Sequence, residues 1–256
     1  MYAPSAPAVI DGSDPNTQTC EGYMRGRLAV ATGLILAGAF AAPAAAAATA
    51  TPASAQVFVG NNKLNVVAVL GVANDIAVSL SGTTYTVHDA NLPLAPGIGC
   101  SAVDSQTVTC PLTGAATIEV LVSDGNDHVV ISANKPALVD GDSGSDLIEM
   151  QQTVKLTTPN TLRGGTDNDE IFGSIGRDNI SGGFHNDHIV GGGGADSMSG
   201  ESGDDTLFDG DQFPPDSADV FNGGNAGHDV CFGENSLDPK FGTDTFVGCE
   251  VGGSVD

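Results

Sequence analysis

Between residues 164 and 208 the chain repeats every nine residues: GGTDNDEIF, GSIGRDNIS, GGFHNDHIV, GGGGADSMS, GESGDDTLF. Aspartate holds the sixth place throughout, as Asp169, Asp178, Asp187, Asp196 and Asp205. Glycine holds the first, as Gly164, Gly173, Gly182, Gly191 and Gly200, and recurs at the fourth as Gly176, Gly194 and Gly203. Glycine tolerates positive φ and allows tight loops with inward carbonyls. One carboxylate per loop adds a hard anionic oxygen. Such a loop offers oxygen and no sulfur, a donor set suited to calcium rather than zinc or copper. Random surface acids would not keep a sixth-place register with a glycine five residues ahead. Asp167, at a fourth place, adds another carboxylate. Looser copies upstream, GNDHV at 125–129 and GDSGSDLI at 141–148, bring Asp127 and Asp146 into the same role. Looser copies also follow, around Asp219, Asp229 and Asp244, where insertions break the nine-residue spacing.

Other chemistries fit these residues poorly. The GDSG at 141–144 resembles a serine-protease signature, but a triad needs a His base and an Asp orienter in a dedicated scaffold. Ser143 also falls in phase with the repeat. His185 and His188 lie three apart, yet in repeat register one falls in a loop and the other on an outward strand position. Paired carboxylates such as Asp204 and Asp205 carry no weight where carboxylates are this abundant. His88 and Asp89 read as a turn after a strand. From Gln56 onward the chain keeps four of its five cysteines, Cys100, Cys110, Cys231 and Cys249; they contain no CxxC and argue against a thiolate metal site. They allow three pairings that sequence cannot choose between; the two local ones are simplest.

The elements that position the aspartates follow from the eighth place: Ile171, Ile180, Ile189, Met198 and Leu207. Each nonamer leaves about three residues for a strand, too short to stand alone. Stacking copies in a parallel coil buries the eighth-place side chains and completes the ladder hydrogen bonds. Residues 119–256 are expected to form this roll with a C-terminal cap. Residues 56–118 favour strands, such as KLNVVAVL at 63–70 and TTYTV at 83–87, and are expected to form a small β module. The fold class is all-β.

Composition narrows the partners. The chain has 32 acidic against 8 basic residues, a net charge of −24, with the acids crowded after residue 118. Such a surface repels nucleic acid and anionic lipid and attracts cations. A basic start at Met24–Arg27, an apolar run over 28–42 and an Ala-rich exit read as a Sec-type secretory signal peptide. ASA at 53–55 offers a cut before Gln56, and a cut near Ala48 fits as well. Residues 1–23 read as an extension from an upstream start, and 24–55 as the signal with its exit. The apolar run is short for a membrane span of about 20 residues, so no stable span is expected after cleavage.

The nonamers match the pattern GGxGxDxUx, and the segment resembles the hemolysin-type calcium-binding repeats of RTX proteins. That resemblance is clear over 164–208 and looser over about 124–250. It implies a parallel β-roll with two nonamers per turn, in which glycine-loop carbonyls and sixth-place aspartates ligate several Ca²⁺. Departures are Asp167 and His185 at fourth places and Ser174 and Glu201 at second places; His185 and Arg177 weaken the sites nearest them. Five contiguous repeats imply on the order of three to five ions. Cys231 takes an eighth place, so a Cys231–Cys249 bridge would fasten the C-terminal cap that repeat arrays need.

Two functional classes compete. One is a secreted, non-enzymatic calcium-binding protein of the extracellular space or cell surface, with a cell-wall or matrix partner unidentified. The other is a calcium-dependent hydrolase or toxin whose activity lies in the N-terminal module. About 60 residues without a nucleophile–base pair favour the first.

Overall fold

The computed structural model describes residues 53–113, 116–210, 218–233 and 244–251. The expected signal peptide and upstream extension lie outside them. Two facing sheets, of ten and eleven strands among the described residues, run the length of the described chain. From residue 117 onward the chain alternates between them. Thr117–Leu121, Ala137–Ser143, Asn160–Thr166, Asp178–Phe184, Ser197–Ser202, Val220–Ala226 and Thr245–Val247 lie side by side in the first sheet. His128–Ile131, Leu147–Met150, Glu170–Phe172, His188–Val190, Thr206–Phe208, Val230–Phe232 and Glu250–Val251 do so in the second. All these pairings are parallel, which makes the coil a β-roll.

Parallel register turns the eighth place into two columns of core. In the first sheet Val120, Val139, Leu162, Ile180, Met198, Phe221 and Phe246 stand in line; in the second, Val129, Ile148, Ile171, Ile189, Leu207 and Cys231. The five eighth-place residues of the clear repeat are 0–3 % exposed. Burying each such side chain contributes about 1.5–3 kcal/mol. No three-residue strand would hold without those neighbours. On the outer face of the second sheet a ring ladder, Phe172–His188–Phe208–Phe232, runs along the coil at centroid spacings of 6.2, 5.3 and 4.6 Å. His188 is therefore a stacking residue.

The N-terminal segment is built into the same sheets. Ala55–Gly60 and Lys63–Ala68 form a hairpin whose second strand pairs in parallel with Thr117–Leu121. Asp75–Ser81 and Thr84–Asp89 form another, whose first strand pairs in parallel with His128–Ile131. Thr107–Pro111 continues that sheet outward. The boundary expected at 118/119 is thus not a break in either sheet: antiparallel hairpins cover the first turn of the parallel coil. The first strand also starts one residue before the expected 56. Ser54 is buried, donating its N–H to Pro93 O (2.7 Å) and its Oγ–H to Asp89 (2.9 Å). Asp89 itself closes a turn by accepting the N–H groups of Asn91 (2.9 Å) and Leu92 (3.0 Å).

Both local disulfides form. Cys100–Cys110 ties the N-terminal cap, and Cys231–Cys249 ties the last turns together across a separation of 18 residues. A loop of that length contributes about 3 kcal/mol in the chain-entropy model. Cys249→Ala leaves Cys231 as a small buried hydrophobe and is expected to cost about 3 kcal/mol. Denaturant melts in saturating calcium measure it; an unchanged midpoint would show that the bridge adds nothing to the cap.

Candidate calcium centre

Each turn has two loops, and they sort the aspartates into two rows. Outbound loops leave the first sheet for the second and carry Asp127, Asp146, Asp169, Asp187, Asp205 and Asp229. Return loops carry Asp178, Asp196, Asp219 and Asp244. In the outbound row each carboxylate accepts, through Oδ1, the backbone N–H of the preceding row member. Asp127, Asp146, Asp169 and Asp187 donate to the next aspartate at 2.8, 2.8, 2.9 and 2.8 Å, and Asp205 donates to Asp229 at 3.0 Å. Asn74 starts the row by donating to Asp127 (2.6 Å). The return row repeats the contact, Asp178 to Asp196, Asp196 to Asp219 and Asp219 to Asp244, at 2.8, 2.7 and 3.0 Å.

The second oxygen is the informative one. Oδ2 of Asp127, Asp146, Asp169, Asp187 and Asp205 is buried and meets no hydrogen-bond donor among the described residues. A buried anionic oxygen without a donor is costly, and a cation is the way to satisfy it without a proton. Space is kept open beside it. A Cβ on Gly164, Gly182 or Gly200 would lie 2.1–2.2 Å from Oδ2 of Asp169, Asp187 or Asp205, so only glycine leaves room at the first place. Loop carbonyls supply further oxygens beside it: a Cβ on Gly141 would lie 2.2 Å from Asp146 Oδ2 and 2.6 Å from Gly164 O, and one on Gly200 2.1 Å from Asp205 Oδ2 and 2.6 Å from Gly223 O. Carboxylates, carbonyls and a reserved space fit a hard divalent ion.

Burial pushes these carboxyls up, and neighbouring carboxylates add to it. Asp146 and Asp187 reach about 8, Asp169 about 7, and Asp127 and Asp205 about 6. Asp219 reaches about 8 from the same burial, with Asp209 and Asp244 nearby.

The remaining expected site residues divide. Gly173 and Gly191 stand beside Asp178 and Asp196 as their outbound counterparts do, at 2.9 and 2.7 Å for a Cβ. Gly194 and Gly203 hold the fourth-place turn at φ 119° and 152°. Asp167 and His185 hold it at φ 76° and 75° without glycine's freedom, and the Asp167 N–H donates to His185 Nδ1 (3.2 Å). Asp167 is exposed, and its charge helps to push Asp169 up. Asp178 differs from the other row members. Its Oδ1 accepts from Asn160 Nδ2 (2.6 Å), and its Oδ2 accepts from the N–H (2.5 Å) and the hydroxyl (2.9 Å) of Ser174. Ser174 also takes the Gly176 N–H (3.0 Å). Asn160 pairs in register with Asp178 and occupies the sixth place one turn earlier, so a neutral amide ends the return row. GDSG at 141–144 is an outbound loop in register with Gly164–Asp167: Asp142 pairs with Gly165 and Ser143 with Thr166.

A second outbound ladder escaped the sequence reading. Fifth-place side chains Asn126, Asn168, Asn186 and Asp204 accept the N–H of Ser145, Asn186, Asp204 and His228 in the following turn, at 2.8–3.1 Å. Its signal was present: in the clear repeat Asn or Asp fills the fifth place only in alternate nonamers, a period of eighteen.

Gly182→Ala is expected to cost about 1–3 kcal/mol by overpacking, read from thermal melts, and to weaken calcium uptake. The raised carboxyls set a pH dependence with opposite signs in the two states. Without metal, their contribution is greatest below the ordinary carboxyl range and is lost as pH rises through 6–8, so melts in chelator should fall in temperature from pH 5 to pH 8. With calcium, deprotonation favours binding, so affinity should climb over the same window, by about tenfold per pH unit for each proton displaced. A chelator-treated roll that gains stability with pH contradicts this electrostatic account.

Comparison with known proteins agrees with the geometry. No curated protein and no solved structure matches the chain. Two overlapping stretches, residues 157–184 and 181–208, match the family model of the RTX calcium-binding nonapeptide repeat (4 copies). They contain Asp169, Asp187 and Asp205 of the outbound row and Asp178 and Asp196 of the return row. Residues 157–208 are thus an array of RTX calcium-binding nonapeptide repeats.

Proposed function

We propose that this is a secreted, non-enzymatic protein whose roll is ordered by several Ca²⁺ on leaving the cell. The observation that carries the reading is the line of buried Oδ2 atoms on Asp127, Asp146, Asp169, Asp187 and Asp205, which meet no donor among the described residues. In the absence of metal these carboxylates hold the roll by their Oδ1 bonds and oppose it by repulsion. Calcium reverses the second effect and leaves the first intact. Extracellular calcium modules bind at about 10⁻⁴–10⁻³ M, a range that separates the outside of the cell from its interior. Ordering on export is then coupled folding by a metal.

Secretion is supported by the signal-like N-terminus and the two disulfides, which persist in oxidising compartments. Of the two cuts, the one near Ala48 suits the fold, because it keeps Ala55 in the first strand and Ser54 bonded to Pro93 and Asp89. A non-enzymatic role is supported by what the N-terminal segment does. Asp89 closes a turn, and the neighbouring His88 ring contacts the Thr107 hydroxyl (3.1 Å) on the exposed face of a sheet. Among the described residues, no helix is long and apolar enough to cross a membrane.

Far-UV circular dichroism of residues 49–256 during calcium titration tests the reading, with magnesium as control. A cooperative gain of β signal at submillimolar to millimolar calcium, absent with magnesium, is expected. A spectrum that is β-rich and indifferent to both calcium and chelator would remove the ordering mechanism and leave the architecture.

A further inference from the structure

The return row holds a carboxylate that the nonamer does not call for. Asp209 stands where every clear repeat has its first glycine. Its backbone is in that register: Asp209 N–H donates to Phe232 O (3.0 Å), as Gly191 N–H does to Phe208 O (2.8 Å) and Gly173 N–H to Val190 O (2.8 Å). The next residue, Gly210, has φ 90°, close to the 93° of Gly192 in the preceding return loop. A side chain at this place enters the space that first-place glycines keep open. A Cβ on Gly191 would lie 2.7 Å from Asp196 Oδ2, and one on Gly233 2.4 Å from Asp244 Oδ2. Asp209 fills the corresponding space beside Asp219, and is itself buried.

One ligand oxygen from each of Asp209, Asp219 and Asp244 lies within 4.8 Å of the others. Proximity of acids alone would mean little in so acidic a chain. The second observation is Asp219, which is 0 % exposed. Its Oδ1 takes the Asp196 N–H, while its Oδ2 is buried, meets no hydrogen-bond donor among the described residues and faces the Asp209 carboxylate. Two carboxylates facing each other away from water require either a shared proton or a cation between them. Asp244, from the following turn, brings a third carboxylate to the same point, which favours the cation.

We propose that Asp209, Asp219 and Asp244 form a three-carboxylate calcium site that is tighter than the repeat's other sites. The inference rests on the reading of the roll as a calcium binder and adds a ranking to it. Elsewhere each loop brings at most one buried carboxylate, with further acids such as Asp167 and Asp204 left exposed. Here three carboxylates converge, and affinity in oxygen-ligand sites rises with ligand charge. The site joins the return loops on either side of Val220–Ala226, so this end of the roll fills first as calcium rises.

Calorimetric calcium titration of the full chain tests this, alongside Asp209→Asn, which keeps the shape, and Asp209→Gly, which restores the repeat. The unmodified chain should show one ion bound at least about tenfold more tightly than the rest. Each variant should weaken that ion by about tenfold or more, leave the remaining uptake in place and reach the same circular dichroism at saturating calcium. Variants that titrate like the unmodified chain would assign the Asp209–Asp219 contact to a shared proton and overturn the site. A single uniform class of ions in the unmodified chain overturns it regardless of the variants. Absence of any calcium uptake would instead remove the calcium reading on which it rests.

Discussion

Every outbound turn hangs on one carboxylate that does two opposed things. Through Oδ1 it accepts the N–H of the turn before it, which fixes the stacking distance and the register. Through its charge it repels the aspartates above and below, in a setting too dry for water to screen them. The rest of the roll follows from holding that compromise. Glycine leads the outbound loops from Gly141 to Gly223 because a β-carbon would occupy the space beside Oδ2. The strands can be three residues long because the ladder, not the strand, sets where the next turn lies. The two apolar columns between the sheets supply the cohesion that the row of charges lacks.

The ends of the roll show how such a stack is terminated. At the N-terminal end Asn74 gives its N–H to Asp127 and its side-chain amide to Asp89, so the row finishes in a neutral group tied to a hairpin. The return row finishes in Asn160, whose amide occupies Asp178 with the help of Ser174. Both stops use an uncharged residue in place of another carboxylate. At the far end Cys231 takes a core position and fixes it covalently to Cys249. Open parallel strands are thereby covered or tied.

The sixth and eighth columns were legible in sequence because each residue's role repeats with the backbone, and periodicity is what a sequence displays best. Three things were less visible. The fifth-place ladder has an eighteen-residue period, which reading by nines averages away. Asp178 keeps the consensus letter but loses a free oxygen to Ser174 and Asn160, and only one of those partners lies in its own nonamer. The merger of the N-terminal segment with the roll depends on Lys63–Ala68 finding Thr117–Leu121 and Asp75–Ser81 finding His128–Ile131. Alternation predicts those strands but says nothing about which neighbour each will choose, since parallel pairing between residues as far apart as Lys63 and Thr117 leaves no local mark.

The two edges of the coil handle length differently. Outbound loops keep six residues from one sheet's last core residue to the next aspartate, and the last of them gains a single residue at the irregularity beside Ser202. Return segments absorb nearly all the rest: the outbound separation grows from 18 to 23 residues where 151–159 intervenes, yet the Asp146–Asp169 bond is as short as its neighbours. One side of the molecule is therefore a ruler and the other a set of open brackets. New chain spliced between Lys155 and Leu156 would be carried outside the ruled edge and displayed at a fixed position along the coil.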